Sequence, residues 1–158
     1  MAPRPKESVW DYPRPPALEA DTRHVRVEFA GEVIADSSGA YRVLETSHPP
    51  TFYIPHGDVN FDFLITTPKQ SFCEWKGAAE YYTVKVGLQI AENAAWAYPK
   101  PSKRFAPIKD YVSFYASKMH ACYVGDDRVQ SQDGDFYGGW ITSDIEGPFK
   151  GGPGTWGW

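Results

Sequence analysis

Proline and glycine interrupt this chain so often that they constrain its fold more than any other feature. The 158 residues include 14 Pro and 14 Gly. Proline fixes φ and removes an amide donor, and glycine is costly to order, so neither residue favours the interior of a helix. Between them apolar and polar residues alternate, as in HVRVEFA (residues 24–30) and YRVLET (residues 41–46). This period of two is typical of half-buried strands and predicts a mainly β fold with little helix.

Composition divides the chain into three regions. Residues 1–20 hold five of the 14 prolines, which predicts an extended N-terminal arm with Trp10 and Tyr12 as its anchors. Residues 21–130 contain the alternating segments and form the predicted β domain. Residues 131–158 hold eight of the 14 glycines and three of the six tryptophans. We expect this C-terminal segment to wrap the domain rather than fold alone.

Turn residues place two predicted hairpins. Gly77 separates the strand-like segments SFCEW and EYYTVKVGL, and a Gly-Asp turn separates HACYV from RVQ. The second strand of the first hairpin is expected to present one face made of Tyr82, Val84, Val86 and Leu88.

Two further segments have weaker patterns. The sequence GDVNFDFL (residues 57–64) predicts one helical turn with Asp58 as its N-cap. Residues 108–119 fit a helix face as well as a strand, and their β-branched and aromatic residues favour the strand.

The charge balance bears on the partners of the protein. The net charge is −4 and the pI is near 5.5, whereas nucleic-acid binding usually needs a basic surface, so no nucleic-acid partner is expected. No apolar run resembles a signal sequence or approaches the ~20 residues of a membrane span. We therefore expect a soluble cytoplasmic protein with no membrane partner, and a homo-oligomer stays open.

Cysteine and histidine give no metal-site pattern. Cys73 and Cys122 are the two cysteines and form no CxxC pair, so free thiols are favoured over a disulfide. The histidines lack metal-ligand spacing, and no metal site is expected. One loop, PHGD, brings His56 and Asp58 together, which a simple turn explains better than a functional site. The four histidines are His24, His48, His56 and His120.

The stretch SFCEWKGAAEYY (residues 71–82) brings several reactive groups together. On a strand, Cys73 shares a face with Trp75, where a buried thiol behaves as a small hydrophobe; a reactive Cys73 is the less favoured alternative. Lys76 lies at the strand end beside Gly77, where a side chain can reach the mouth of a cleft. It is a catalytic candidate, and the alternative is a solvated lysine paired with Glu74.

A second candidate lies in YRVLET. Glu45 shares the strand face of Tyr41 and Val43, and a carboxylate on an apolar face must be paired or take up a proton more readily. Glu45 is therefore a general acid/base candidate, and a structural ion pair is the alternative. Arg42, on the other face, could bind an anion or simply lie at the surface.

Aromatic residues recur at predicted strand ends beside prolines. They could line a pocket for a planar ring, or they could belong to the core. The ligand-binding candidates among them are Tyr53, Tyr82, Trp96 and Tyr98.

Several stretches, in order along the chain, resemble the family of domain of unknown function 427, which also carries a nucleotidyltransferase-like label. They are VWDYPRPP, GEVIADSSGAYRVLETSHPPTFYIPHGDV, CEWKGAAEYY, AAWAYPKP, YVSFYASK and FYGGWITSDIEGPFKGGPGTWGW. The resemblance runs from about residue 8 to the end and includes the tail of the longer members. It implies two antiparallel sheets leaning together, as in β-tent folds, and its W-K-G motif supports a functional Lys76. Many β-tent relatives hold zinc with paired CxxC motifs, which this sequence lacks, so the zinc does not carry over.

Three functions stay open at this point, and so does the question of whether the protein is an enzyme. The first is a pocket for an anionic or ring-bearing metabolite, with Lys76 and Arg42 on the anion and Glu45 handling a proton. The second is nucleotidyl transfer with Mg²⁺, for which Asp144 and Glu146 have a suitable spacing, although the glycine-rich tail lacks a P-loop ending. The third is an interaction module that uses the aromatic arm and tail. No cofactor other than this Mg²⁺ is expected.

Overall fold

The computed structural model describes residues 4–134 and 137–158. The predicted mainly β fold with antiparallel sheets and little helix is confirmed. Pro3, counted in the predicted arm, lies outside the described residues. The N-terminal arm and the C-terminal segment both contact the rest of the chain, as described below. The domain boundaries at residues 20 and 130 stay predictions.

Short strands and turns of 3₁₀ helix account for the regular structure. The strands are β1 Glu7–Ser8, β2 Ala17–Asp21, β3 Val25–Phe29, β4 Glu32–Ser37, β5 Ala40–Leu44, β6 Thr51–Tyr53, β7 Leu64–Cys73, β8 Gly77–Val86, β9 Gln89–Ala97, β10 Val112–Phe114, β11 Ala121–Val124, β12 Asp127–Arg128, β13 Gln130–Ser131, β14 Trp140–Ile141 and β15 Ile145–Glu146. The 3₁₀ helices are Val9–Asp11, His56–Asp58, Phe61–Phe63, Lys103–Ile108 and Ala116–Lys118. Of the described residues, none forms a helix long and apolar enough to cross a membrane.

Three larger sheets form the body of the domain. One has the strand order β10-β9-β8-β7, another β12-β11-β3-β4, and the third β2-β5-β6; all their pairings are antiparallel. Two small ribbons, β13-β14 and the parallel pair β1-β15, join the tail to the body and to the arm. An isolated antiparallel bridge between Ile54 and Val112 links the end of β6 to β10.

Strand β9 separates two apolar layers. Ala95 and Ala97 belong to the main core, which also contains side chains of the sheet β12-β11-β3-β4. Trp96, between them, belongs to a second, aromatic cluster on the opposite face, as the period of two requires. Because alanines face the main core, the other sheet can approach closely, while the large rings point the other way. The sheet β10-β9-β8-β7 is therefore buried on both faces at residues 94–97 of this strand.

Both predicted hairpins are present, and one detail of the first is wrong. Cys73 pairs with Gly77, so residues 74–76 form the turn, and Val124 pairs with Asp127 across the Gly-Asp turn. Leu88, predicted to share a face with Tyr82, is 99% exposed. Strand β8 ends at Val86, so Leu88 lies in the turn that leads into β9.

The two segments with weak sequence patterns, residues 57–64 and 108–119, have different outcomes. Residues 108–119 contain the short strand β10, as favoured, followed by a 3₁₀ helix. Asp58 as an N-cap is wrong: Asn60 caps the turn Phe61–Phe63 by accepting a hydrogen bond from the Asp62 amide at 3.0 Å. The Asp58 carboxylate instead accepts a hydrogen bond from Ser37 Oγ at 2.6 Å.

The tail reaches the main core through Trp140. This side chain is fully buried, stacks on Phe52 with ring centroids 5.3 Å apart, and donates from Nε1 to the Phe114 carbonyl at 2.9 Å. Further along, Trp10 of the arm donates from Nε1 to the Pro148 carbonyl at 2.8 Å and contacts the Trp158 ring. The arm and the tail thus contact each other as well as the body.

Trp140→Ala tests the energetic contribution of the tail. Removing a fully buried tryptophan should lower the free energy of unfolding by about 3–5 kcal/mol, because the cavity and the unpaired Phe114 carbonyl both cost free energy. Urea unfolding of wild type and variant measures the change. Trp156→Ala is the matched control: its ring is 95% exposed, so the change should be within about 0.5 kcal/mol. Equal unfolding midpoints for the two variants would show that the tail does not stabilise the domain.

Candidate functional site

A cavity of about 290 Å³ lies on the aromatic side of the sheet β10-β9-β8-β7. The strands β5 and β6 contribute Val43 and Tyr53 to its lining, and residues 71–76 close one end. The tail supplies Gln132, Gly138 and other residues to another wall. We call this space the aromatic cavity, because its lining includes the rings of Tyr53, Trp75, Tyr81, Trp96, Tyr98, Tyr115 and Tyr137.

Trp96 lies at the centre of the ring cluster. Its ring centroid is 4.6 Å from that of Tyr115, and its Nε1 donates to Tyr53 Oη at 3.4 Å. Burial raises the pKa of Tyr53, Tyr98 and Tyr115 above the ordinary range, so these phenols are neutral at physiological pH. The cavity therefore offers ring faces and uncharged hydroxyl groups to a ligand.

Lys76 places a cation in this apolar setting. The side chain lies in the turn between β7 and β8, and the residue is only 8% exposed. Its Nζ lies 3.3 Å from Cys73 Sγ and 5.7 Å and 5.8 Å from the ring centroids of Tyr98 and Phe105. Within residues 4–134 and 137–158 Lys76 forms no ion pair, so its alternative as a solvated partner of Glu74 does not apply. A buried ammonium without a carboxylate is costly unless an anion approaches it.

Backbone contacts hold the Lys76 turn in place. The Ser102 amide donates to the Lys76 carbonyl at 2.9 Å, and Ser102 Oγ donates to the Trp75 carbonyl at 2.7 Å. Gly77 adopts φ = +110°, and a Cβ there would lie 3.2 Å from the Lys100 carbonyl oxygen. Any residue other than glycine would therefore be strained at position 77, directly after Lys76.

The two cysteines occupy different environments. Cys73 is half-buried and lines the aromatic cavity, on the face it was predicted to share with Trp75. Cys122 is buried in the main core, where burial raises its pKa to about 12. Cys122, and not Cys73, therefore has the buried apolar environment that is expected of an unreactive thiol.

Glu45 lies on the rim of the same cavity, beside a histidine that the sequence did not single out. Its Oε2 lies 3.7 Å from Arg14 Nε and 4.0 Å from His48 Nε2. His48 Nδ1 accepts a hydrogen bond from Gln132 Nε2 at 3.2 Å. Burial, together with the positive charges of Lys150, Arg14 and Lys76, lowers the pKa of His48 to about 4. His48 is therefore neutral at pH 7.

The tail approaches the cavity through glycine. A Cβ on Gly138 would lie 2.2 Å from the Cη2 atom of Trp96, and one on Gly139 would lie 2.6 Å from the Pro49 carbonyl oxygen. No side chain can occupy either position without displacing the tail. Lys150, also in this segment, lines the cavity, with its Nζ 5.6 Å from the centroid of the Tyr137 ring.

Two predicted ligand-binding residues do not line the cavity. Tyr82 packs on the main-core face of β8, with its ring 5.7 Å from that of Phe61, whereas its neighbour Tyr81 faces the cavity. Arg42 is 1% exposed and lies beneath the arm, so it is not a surface arginine either. The predicted residues that the structure brings together are Glu45, Tyr53, Lys76, Trp96 and Tyr98.

Arg42 is the centre of a buried ion network. Its guanidinium donates to Glu7 Oε1 at 3.1 Å and to Glu19 Oε1 at 2.5 Å, and its Nε lies 3.4 Å from Asp21 Oδ2. Burial raises the pKa of Glu7 and Asp21, but the arginine hydrogen bonds and charges outweigh it and hold both pKa values below the ordinary range. The pKa of Asp144 is also below the ordinary range. Burial alone would raise it, but the hydrogen bond from Thr142 and the positive charge of Arg23 outweigh burial.

One of the two carboxylates considered for Mg²⁺ is engaged elsewhere. Asp144 forms ion pairs with Arg4 at 3.2 Å and with Arg23 at 3.3 Å, and Glu146 is exposed. Neither residue lines the aromatic cavity. Across the part of the chain that the structure describes, no group of three or more His, Cys, Asp or Glu side chains is placed to hold a metal ion.

Fold and site together define a small mainly β domain with an open aromatic cavity whose lining includes a buried lysine. The sequence profile of the family described as Domain of unknown function (DUF427) matches residues 17–125. The chain belongs to this family, as the resemblance of its motifs indicated. A search of the curated proteins found no match to the chain.

Arg42→Met tests the ion network through its pH dependence. At neutral pH the variant should lose about 1–3 kcal/mol of unfolding free energy, because Glu7, Glu19 and Asp21 each lose a charged partner, while Glu7 keeps Arg4 and Asp21 keeps Arg23. A lowered folded-state pKa contributes stability that is present above the unfolded values, 4.5 for Glu7 and 3.8 for Asp21, and is lost as pH falls through the folded values. The difference between wild type and variant should therefore shrink as the pH falls below 4.5.

Urea unfolding between pH 7 and pH 3 measures that difference. Arg104→Met is the matched control, since Arg104 is exposed and its loss should change little at any pH. A difference that stays constant down to pH 3 would contradict the proposed linkage.

His48→Gln tests the electrostatics of the cavity rim. The unfolded state takes up the histidine proton near pH 6.5, whereas the folded state resists it down to about pH 4. The stability that this lowered pKa provides is present above pH 6.5 and is lost as pH falls towards 4, by roughly 2–3 kcal/mol. Glutamine cannot take up this proton, so the variant should lose that part of the pH dependence. Parallel stability curves for wild type and variant across this range would contradict a neutral, buried His48.

Proposed function

We propose that the protein binds an anionic, ring-bearing small molecule in the aromatic cavity. The observation that carries this proposal is the Lys76 ammonium, which is buried, lines the cavity, and forms no ion pair among the described residues. A buried charge needs a compensating partner, and a ligand anion would supply one.

The lining is suited to the rest of such a ligand. Trp96 and Tyr115 present ring faces, on which a planar group can stack. Ser71 Oγ and Tyr81 Oη, 2.9 Å apart, supply hydroxyl groups that can fix its orientation. A cavity of about 290 Å³ is at the lower end of the ~300–1,000 Å³ range of small-molecule sites, so the ligand is a single ring system with one acidic group rather than a large cofactor.

The lysines of the lining support an anion as well. Lys150 on the tail adds a second cation; of the two carboxylates in the lining, Glu45 is paired with Arg14, and Glu74 forms no ion pair with Lys76 among the described residues. Lys76 retains two N–H donors beyond the one directed at Cys73 Sγ. The acid group of the ligand would therefore lie beside Lys76, and Glu45 and His48, which also line the cavity, would be available for proton transfer.

The nucleotidyl-transfer alternative receives no support from a specific contact. It rests on the label that the family carries, and the carboxylate with the suitable spacing, Asp144, is ion-paired with two arginines. The interaction-module alternative rests on exposed rings such as Trp156, with nothing in the structure to define a partner. Both remain outcomes of the experiment below.

Thermal unfolding in the presence of small ring compounds tests the proposal. The probes are benzoate, phenyl phosphate, AMP with Mg²⁺, and uncharged benzyl alcohol. A probe at about 100 times its Kd adds about 2.7 kcal/mol of stability and raises the Tm by several degrees. We expect a rise with benzoate or phenyl phosphate and none with benzyl alcohol.

Two lysine variants make the test specific. Lys76→Met keeps the length and apolar stem of the side chain and removes the charge, so the rise in Tm should disappear. Lys85→Met removes an exposed lysine of β8 that does not line the cavity, and should leave the rise intact. An equal rise in Lys76→Met, or an equal rise with benzyl alcohol, contradicts the proposal. A rise confined to AMP with Mg²⁺ would instead favour the nucleotidyl alternative, and no rise with any probe would favour the interaction module.

A further inference from the structure

Gln132 of the tail is a buried polar side chain in the lining of the aromatic cavity. The residue is 4% exposed. The Gly139 amide donates to Gln132 Oε1 at 3.1 Å, and Gln132 Nε2 donates to the Lys150 carbonyl at 2.6 Å. One backbone donor and one backbone acceptor thus fix which end of the side-chain amide is oxygen and which is nitrogen.

This orientation of the amide determines the tautomer of His48. Gln132 Nε2 lies 3.2 Å from His48 Nδ1, and an amide nitrogen can donate but not accept a hydrogen bond. His48 Nδ1 must therefore accept this hydrogen bond, so it carries no proton. The ring is then neutral, in agreement with its lowered pKa, and its one N–H group is at Nε2.

The His48 Nε2–H group lies near a carboxylate that it does not reach. Nε2 is 4.0 Å from Glu45 Oε2, which is longer than a hydrogen bond. Arg14 Nε, 3.7 Å from the same oxygen, is an ion-pair partner but is also beyond hydrogen-bond distance. The oxygen of Glu45 is therefore able to accept a hydrogen bond from a ligand, and His48 is able to donate one.

A hydroxyl group matches this pair of one donor and one acceptor. An oxygen atom about 2.8 Å from both Nε2 and Oε2 is geometrically possible, because twice this distance exceeds their separation. A hydroxyl oxygen in that position can accept from His48 and donate to Glu45 at the same time. An ether or a carboxylate oxygen can only accept, so it would satisfy His48 and leave Glu45 without a donor.

We propose that His48 and Glu45 bind a hydroxyl group of the ligand, with Gln132 as the positioning residue that holds His48 in its Nε2–H form. The ligand is then a hydroxylated aromatic acid whose acid group lies beside Lys76. This ligand class rests on the function proposed above, whereas the tautomer of His48 rests on contacts within the protein.

The two polar ends of such a ligand would meet side chains of one cavity. Lys76, Glu45 and His48 all line it, and the charge of Lys76 contributes to the lowered pKa of His48. A rigid ring that carries both an acid and a hydroxyl group loses little conformational freedom on binding, which favours it over a flexible chain with the same groups. The aromatic lining suits the ring itself.

The positioning residue belongs to the tail and not to the matched part of the family profile. The profile covers residues 17–125, which include Glu45, His48 and Lys76 but not Gln132. The tail also contacts the imidazole through Tyr137, whose ring centroid is 4.9 Å from that of His48. The tail therefore sets the hydrogen-bonding chemistry of His48 as well as forming a wall of the cavity.

Nitrogen NMR of the ligand-free protein tests the tautomer. Two-bond ¹H–¹⁵N correlation spectra of ¹⁵N-labelled protein at pH 7 show which ring nitrogen carries the proton, and His48→Gln identifies the His48 signals by their loss. We expect a protonated Nε2 and an unprotonated Nδ1. A proton on Nδ1, or on both nitrogens, would overturn the assignment of His48 as an Nε2–H donor.

Gln132→Glu tests the positioning role in the same spectra. The carboxylate can accept but not donate, so His48 should carry a proton on Nδ1 in this variant. Gln130→Glu, which changes an exposed glutamine of β13, is the matched control and should keep the wild-type pattern. An unchanged His48 pattern in Gln132→Glu would show that Gln132 does not position the ring. The wild-type spectrum decides the tautomer even if Gln132→Glu does not fold.

Calorimetric titration tests the hydroxyl group. The probes are benzoate, 3- and 4-hydroxybenzoate, and the two matching methoxybenzoates. Because a hydrogen bond to a charged group favours binding, one hydroxybenzoate should bind about tenfold more tightly than benzoate and than its own methyl ether. In His48→Phe the ratio of the benzoate Kd to the hydroxybenzoate Kd should fall from about ten to about one. His24→Phe, which changes an exposed histidine outside the cavity lining, should keep the wild-type ratio.

Failure of the hydroxyl site is distinguishable from failure of the proposed function. Equal Kd values for benzoate and both hydroxybenzoates, an equal gain from the methyl ethers, or a gain that His48→Phe retains would overturn the hydroxyl site and leave the anion site intact. If no probe binds, the anion site and the hydroxyl site are both wrong, and the NMR spectra still decide whether Gln132 positions His48. Tighter binding of a hydroxybenzoate that depends on His48 would support the proposal.

Discussion

The structure depends on the burial of both faces of strand β9 at residues 94–97. Ala95 and Ala97 face the main core, and Trp96 faces the aromatic cavity. Small side chains on one face allow a second sheet to pack close, and a large ring on the other face holds the layers apart enough to leave a space. Without this alternation of small and large side chains on β9, neither the main core nor the aromatic cavity would have its present form. The cavity is thus a consequence of how one strand divides its small and large residues.

The arm and the tail also determine the form of the cavity, because the arm holds the tail and the tail lines the cavity. Arg42 ties the arm to β2 and β5 through Glu7, Glu19 and Asp21, and Asp144 of the tail joins the network through Arg23. A buried guanidinium of this kind contributes little net stability relative to an apolar residue, but losing one partner is costly, so the network fixes where the arm lies. With the arm fixed, the adjacent tail is held so that Gly138 contacts Trp96 and Lys150 lines the cavity.

The charged side chains of the cavity differ in whether they have a partner of opposite charge. Glu45 has Arg14 as an ion-pair partner, and His48 stays neutral because it is buried among cations. Among the described residues, Lys76 has no ion-pair partner, and its ammonium lies near the Cys73 sulfur and the rings of Tyr98 and Phe105. A buried charge without an ion pair is rare unless it acts on a ligand, and the proposed function follows from this one residue.

The sequence by itself determined the fold class, the hairpin at Gly77 and the faces of most strands, because these depend on a period of two and on local turn residues. It also contained the assignment of Tyr82 to the core, since Tyr82 alternates in step with Val84 and Val86, and the expectation of Tyr82 in a pocket overlooked that pattern. The candidates Glu45, Tyr53, Lys76, Trp96 and Tyr98 could be named from strand faces and strand ends, although no motif joined them.

Only the tertiary structure decided which of those residues meet. Arg42 faces Glu19 because β2 pairs with β5 in one register, and a strand pairing between distant segments is not encoded in either segment alone. His48 enters the site because Gln132, 84 residues further along the chain, reaches it from the tail. Lys76 became a buried cation instead of a solvated one because the Ser102 loop covers its turn. Burial and charge environment are sums over the whole fold, and for that reason local sequence could suggest the members of the site but not their chemistry.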